Sequence, residues 1–165
     1  MPNWCENRID IVSDTKEQMD ELVSFVKSKE DDEPFSFQSI LPMPDELQEV
    51  GSPVRIVSAK EYKARDKETG IFPNQLITKA MSNKFRVEYG ADNWYDWANL
   101  HWGTKWEVSD VMLNRRDDTE ATYYFDTAWC PPEGVYHALV KRFPDASISW
   151  FYNEEGMQMA GYLPH

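Results

Sequence analysis

Trp102, Thr104, Lys105, Asp126 and Trp129 are the residues whose types and spacing lend themselves best to chemistry. They fall in two runs, "NLHWGTKWEV" and "FDTAWCPP". Two indoles offer flat faces for stacking, Thr104 a hydroxyl, Lys105 a cation and Asp126 an acceptor. Such a set suits recognition of a flat polar molecule or a nucleotide. The same indoles read equally as core, because a helix feeding into a central strand needs bulky residues at the join. Bond-making chemistry is harder to assemble. His101, His137 and His165 stand far apart, with no metal-ligand spacing to one another or to a cysteine. Cys5 and Cys130 form no CxxC pair, and the chain has neither a Gly-rich phosphate loop nor a G-x-S-x-G elbow. "EDDE" and "NEEG" read as solvated turns rather than paired acids. No catalytic residue, metal ligand or cofactor is assigned, and a binding role is favoured over an enzymatic one.

Charge narrows the partners. The chain of 165 residues carries a formal net charge of −12, which disfavours binding through phosphates, since that rests on Lys and Arg. The charge is uneven. Between Arg55 and Arg86 eight basic residues face three acidic ones, leaving −17 for the remainder. That basic segment is a solvated face or a contact for an acidic partner. Two cysteines and no secretory leader or apolar span point to a cytoplasmic protein with no membrane contact, both thiols buried as small hydrophobes.

The elements that must position these groups follow from periodicity. "RIDIV" alternates, with Ile9 and Ile11 on one face and Arg8 and Asp10 on the other, as a half-buried strand does. Asp14 and Glu17 resemble a capping box opening a helix whose stripe is Met19, Leu22, Val23 and Val26. Phe35, Phe37 and Ser39 alternate with Ser36, Gln38 and Ile40, which predicts a second strand. The pattern then dissolves into an inserted polar and helical region at about 45–103, with a short helix, a loop near Lys67–Gly70, and a helix over "PNQLITKAMSNKF" burying Leu76, Ala80, Ile77 and Met81. Asp92 is placed to cap a further helix carrying Trp94, Trp97 and His101, stopped by Gly103. "TKWEVSDVML" reads as a strand, "NRRDD" as a turn and "TEATYYFDTAW" as the antiparallel partner. On neighbouring strands Lys105 and Asp126 would pair. A helix from the prolines at 131 and 132, with Val135, Leu139, Val140 and Phe143 inward, and a closing hairpin turning at Asn153–Gly156 complete the chain. The sum is α+β: a mainly antiparallel sheet with helices on one face, one ferredoxin-like domain over 1–165 with a helical insertion.

"MPNWCENRIDIV", "NLHWGTKWEV", "FDTAWCPP" and "YNEEGMQMAGY" together resemble an uncharacterised family of phages and conjugative plasmids with a YubB-type ferredoxin-like domain. The likeness runs from Met1 to about Tyr162 and departs at His101, where members commonly carry Asn. It implies a fold and a mobile-element setting, and no reaction.

The leading expectation is a non-enzymatic accessory protein that binds a basic host protein or complex through its acidic surface, with inhibition of a defence or nucleic-acid-processing system as one instance. The alternative is a small-molecule or nucleotide binder, possibly an enzyme, using a Trp-lined cleft formed by Trp102, Thr104, Lys105, Asp126 and Trp129. Single-stranded nucleic-acid binding through the basic 55–86 segment is the weaker third.

Overall fold

Alternation is strict along Trp4–Val12: Cys5, Asn7, Ile9 and Ile11 are buried, while Trp4, Glu6 and Val12 are exposed and Arg8 and Asp10 half-buried. The computed structural model describes residues 3–65, 72–108 and 110–164. In chain order the elements are β1 (Trp4–Val12), α1 (Lys16–Val26), α2 (Phe37–Ile40), α3 (Asp45–Gln48), β2 (Arg55–Val57) and α4 (Ala59–Lys63). After a 3-10 turn at Pro73–Gln75 come β3 (Leu76–Thr78), α5 (Lys79–Tyr89), α6 (Trp94–His101), β4 (Met112–Arg115), β5 (Glu120–Ala128), α7 (Glu133–Arg142), β6 (Ser147–Glu154) and β7 (Met159–Tyr162). They form two compact units, one of residues 1–42 with 102–165, the other of residues 43–101.

The first unit is α+β, its five-stranded antiparallel sheet ordered β4-β5-β1-β6-β7. Leaving aside the edge strand β7, the order β1, α1, β4, β5, α7, β6 is the split β-α-β arrangement of ferredoxin-like folds. Central β1 is hydrogen-bonded on both sides, to β5 and β6. Its inner face is covered by apolar stripes of α1 (Met19, Leu22, Val26) and α7 (Val135, Tyr136, Leu139). Phe35 lies in this layer with ring centroids 5.1 Å from Tyr123, 5.2 Å from Phe125 and 6.1 Å from Trp150. A polar chain crosses the same core. The Trp150 indole donates to Asn7 Oδ1 (3.0 Å), and Asn7 Nδ2 donates to Thr127 Oγ1 (2.9 Å) and the Cys5 carbonyl (2.8 Å).

Several expectations for this unit are corrected. Phe35–Ile40 is not a strand. Phe35, Ser36, Phe37, Ser39 and Ile40 are all buried, so no face is left for a pleat. The Glu107 carboxylate accepts from the backbone N–H of Phe37 (2.7 Å) and Gln38 (2.8 Å), turning the segment into the single helical turn α2. Strand pairing likewise begins at Met112 rather than at Thr104, because the 102–108 segment spends its polar groups on other elements. Lys105 and Asp126 are therefore not ladder neighbours. The N-cap of α1 is Thr15, which with Gln18 forms the capping box one residue later than expected. The last turn falls at Glu155–Gln158, since β6 runs on to Glu154. Cys130 is exposed and only Cys5 is buried.

The second unit packs α3–α6 with the short parallel pair β2 and β3. Leu76 and Ile77 are buried as expected, but on β3 rather than on a helix, which starts only at Lys79 and leaves Ala80 exposed. Buried Asp92 accepts from Ser82 Oγ (2.6 Å), Arg86 Nε (2.7 Å) and Asn93 Nδ2 (3.1 Å). Burial pushes its carboxyl up, but those donors outweigh it and hold the group below the usual range. Its neighbour Asn93, not Asp92, caps α6 through the Asp96 N–H (3.0 Å). His101 Nε2 donates to the Tyr89 carbonyl (2.8 Å), a bond an Asn amide can also supply. The loop expected near Lys67–Gly70 lies outside the described residues. None of the described helices is long and apolar enough to cross a membrane.

Truncating Asn7 to Ala strands the Trp150 indole N–H in the core and removes the bond that the Thr127 hydroxyl accepts, leaving that hydroxyl its donation to the Cys130 carbonyl (2.8 Å). We expect a loss of about 2–4 kcal/mol, read as a lower urea midpoint at unchanged slope.

Candidate binding face

The helices cover one face of the sheet, and the other exposes Trp4, Met112, Tyr124 and Tyr162. Period-2 alternation puts Trp4, Glu6, Arg8 and Asp10 of β1 on this outer side, with Tyr124 and Asp126 of β5. Register makes it a grid. Met112, Tyr124, Arg8, Phe151 and Tyr162 run across all five strands in one row. Asp126, Glu6 and Asn153 run beside it in the next. The first row is a stripe of rings and a thioether around one guanidinium. Phe151 and Tyr162 meet at 5.2 Å, and Arg8 stacks 5.6 Å from the Phe151 centroid.

The guanidinium forms an ion pair within its own strand, Arg8 Nε lying 2.9 Å from Asp10 Oδ2 without hydrogen-bond geometry, and Nη2 donates to Tyr162 Oη (3.4 Å). That leaves the second row without a cation. Glu6 accepts from Asn153 Nδ2 (3.2 Å), whereas Asp126 has no hydrogen bond or ion pair among the described residues. Partial burial, and then the neighbouring Glu6 carboxylate, push the Asp126 carboxyl above its ordinary range. Two hollows flank this carboxylate. One of about 320 Å³ is lined by Trp4, Asp110, Met112, Tyr124, Phe125 and Asp126. The other, about 360 Å³, continues past Glu6 and Arg8 to Phe151.

The five residues singled out in the sequence divide between structural and exposed positions. Trp102 is 3% exposed, its indole donating to the Leu41 carbonyl (2.7 Å) and packing 5.6 Å from Phe37. Thr104 is 1% exposed and donates to the Ala128 carbonyl (2.9 Å). Between them Gly103, at φ +90°, lies so close to the 131–133 backbone that a Cβ would meet Glu133 N at 3.1 Å. Gly134 N in turn donates to the Trp102 carbonyl (3.2 Å). The W-G-T run is thus docked onto the elbow that carries A-W-C-P-P, which accounts physically for the two motifs occurring together. Lys105 lies 4.0 Å over the Trp106 ring. Asp126 is on the open face. Trp129 is 42% exposed and holds φ at +72°, a left-handed conformation that costs a bulky residue about 1–3 kcal/mol. Hydrogen bonds from Trp129 N to the Asn3 carbonyl (3.0 Å) and from Cys130 N to the Ala128 carbonyl (2.9 Å) hold it there. Of the four indoles at 94–106, Trp97 and Trp102 are buried, Trp94 is half-buried and Trp106 is 41% exposed.

Sequence reasoning passed over Trp4, Glu6, Met112, Tyr124 and Phe151. A signal was present. "YYF" at 123–125 cannot alternate without putting a tyrosine on the outer face, and extending the "RIDIV" alternation back two steps puts Trp4 on the same side. Trp4 is 50% exposed, its ring 6.2 Å from that of Trp106.

With this geometry in view, residues 101–164 match the family model of the ferredoxin-like domain in Api92-like protein. That stretch is similar to an Api92-like domain. It covers β4, β5, α7, β6 and β7, four of the five sheet strands. The chain as a whole is similar to the crystal structure of protein api92 from Yersinia pseudotuberculosis, with a TM-score of 0.55 over 98% of this chain and 93% of that one. At 13% identity the likeness concerns the fold alone. No curated protein matches the sequence.

Among the described residues, no group of three or more His, Cys, Asp or Glu side chains converges as metal ligands would. The face offers rings, a thioether and, at Asp126, a carboxylate without a partner among the described residues, which is equipment for holding a cation with an apolar body. Removing one charge should relieve the Glu6–Asp126 repulsion. Asp126→Asn is expected to raise stability by about 0.2–1 kcal/mol at neutral pH. The raised carboxyl protonates as pH falls through its folded value, so this gain shrinks in acid. Thermal melts at pH 7 and pH 4 check both the sign and the trend.

Proposed function

We propose that this protein is a binding module of a phage or plasmid, engaging a host protein or complex of basic surface through the open face of its sheet. The observation that carries the reading is the Asp126–Glu6 pair. Two carboxylates face each other across neighbouring strands, beside exposed rings, with no cation paired to Asp126 among the described residues. Like charges so placed work against folding, and a complementary partner removes that repulsion on binding. The net charge of −12 adds long-range attraction for such a partner. The mobile-element setting rests on the resemblance drawn from the sequence. Interference with a host defence or nucleic-acid-processing complex is one form this binding takes.

Exposed rings on the sheet of a ferredoxin-like fold also resemble a platform for single-stranded nucleic acid. The charges oppose that use. Platforms of that kind set cations along the rings, whereas here Glu6 and Asp126 stand beside Arg8 and Tyr124, Arg8 is paired with Asp10, and Lys105 adds a cation only at the Trp4–Trp106 end. The basic 55–86 segment is also partly committed: Lys84 pairs with Glu46 (2.8 Å), Arg86 with Asp92 (2.7 Å), and Arg65 donates to the Tyr62 carbonyl (2.9 Å).

The test is affinity capture from host lysate at about 50 mM and about 300 mM salt, comparing the native protein with Glu6→Gln/Asp126→Asn. We expect a specific partner whose recovery falls at least about fivefold with salt and again with the double variant, at unchanged circular dichroism. Failure to recover any salt-sensitive partner, or equal recovery by the double variant, would overturn the proposal.

A further inference from the structure

We infer that the hollow between Trp4 and Tyr124 is a receptor for an arginine side chain of the partner, its guanidinium set against the Asp126 carboxylate. The inference rests on the open-face reading above and names the central contact within it. Three observations select this occupant. The walls are apolar, formed by Trp4, Tyr124 and Met112, and a long aliphatic stem needs such walls. The polar groups are carboxylates, those of Asp110 and Asp126, so the complementary charge is positive. Asp126 projects from the central part of the sheet with neither hydrogen bond nor ion pair among the described residues, although Arg8 stands on the adjacent strand and is held by Asp10 instead.

A guanidinium fits this set better than an ammonium. It is planar and weakly hydrated, so it stacks on an indole or phenol while its N–H fork meets a carboxylate edge-on. An ammonium keeps its hydration and offers a point charge only. A phosphate-bearing ligand would face two carboxylates. A divalent ion would lack a converging third ligand among the described residues. A second copy of this chain would set Glu6 and Asp126 against the same groups on its mate, at −12 per chain.

The experiment uses the full chain and three short peptides, identical except for a central arginine, lysine or citrulline, followed by amide and indole NMR. Citrulline keeps the shape of arginine and removes its charge. We expect the arginine peptide to move the Trp4 indole signal and the Tyr124 and Asp126 amides. The lysine peptide should bind at least about threefold more weakly, and citrulline should bind negligibly. Asp126→Asn should weaken the arginine peptide about tenfold without lowering the melting temperature. Equal response to arginine and citrulline, shifts confined to other surfaces, or full binding by Asp126→Asn would each overturn the inference. Displacement of the arginine peptide by a single-stranded oligonucleotide, or a dimer in sedimentation that buries Trp4, would do so too. If a lysate partner still depends on Glu6 and Asp126 while the arginine peptide is inert, the receptor hollow falls and the open-face reading stands. If the peptide binds but no salt-sensitive partner is recovered, the receptor stands and the host-partner reading falls.

Discussion

The polar chain from Thr127 through Asn7 to Trp150 fixes the register of the three central strands, and the rest of the sheet unit depends on that register. Apolar packing alone tolerates many arrangements of similar volume. A buried amide that must meet one hydroxyl, one indole and one carbonyl tolerates few. Because side chains alternate with period two, a slip of one residue in β1 would exchange Cys5, Asn7, Ile9 and Ile11 for Trp4, Glu6, Arg8 and Asp10. The core and the outer face would trade places. One amide thereby settles which residues are buried and which carboxylates stand beside which rings.

How legible this was depended on the range of the interactions involved. α1, α7, β5 and the hairpin of β6 and β7 follow from local periodicity, and their buried stripes lie at Met19, Leu22, Val26, Val135 and Leu139 as the pattern implies. Phe35–Ile40 misled because alternation is a local signal, while the Glu107 carboxylate that turns this segment into a helix lies 70 residues away in sequence. Leu76 and Ile77 have an apolar spacing that suits a helix and a strand equally, and pairing with β2 decided for the strand. Of the five residues singled out, Asp126 and Trp129 lie near a strand end and are not buried in the core. Trp102 and Thr104 were not separable from them, because burial depends on the partner elbow rather than on composition.

Net charge also reads differently with the fold in hand. A substantial share of the acidic side chains serve as acceptors for backbone N–H groups. Glu33 takes those of Asp110 and Val111, Asp117 those of Thr119 and Glu120, and Glu154 those of Gly156 and Met157. Acidity is therefore partly architectural, used to finish turns. Asp126 is the clearest of the carboxylates that finish nothing, and the proposed binding role rests on it.

The Trp102 indole and the Leu41 carbonyl meet at 2.7 Å, at the two points where the chain leaves the ferredoxin-like unit and rejoins it. The bond ties together the two chain ends through which residues 43–101 are joined to that unit. Ring-closure entropy grows only logarithmically with length, by about 0.6 kcal/mol per doubling. A change in the length of a segment closed at its root therefore costs little in closure entropy.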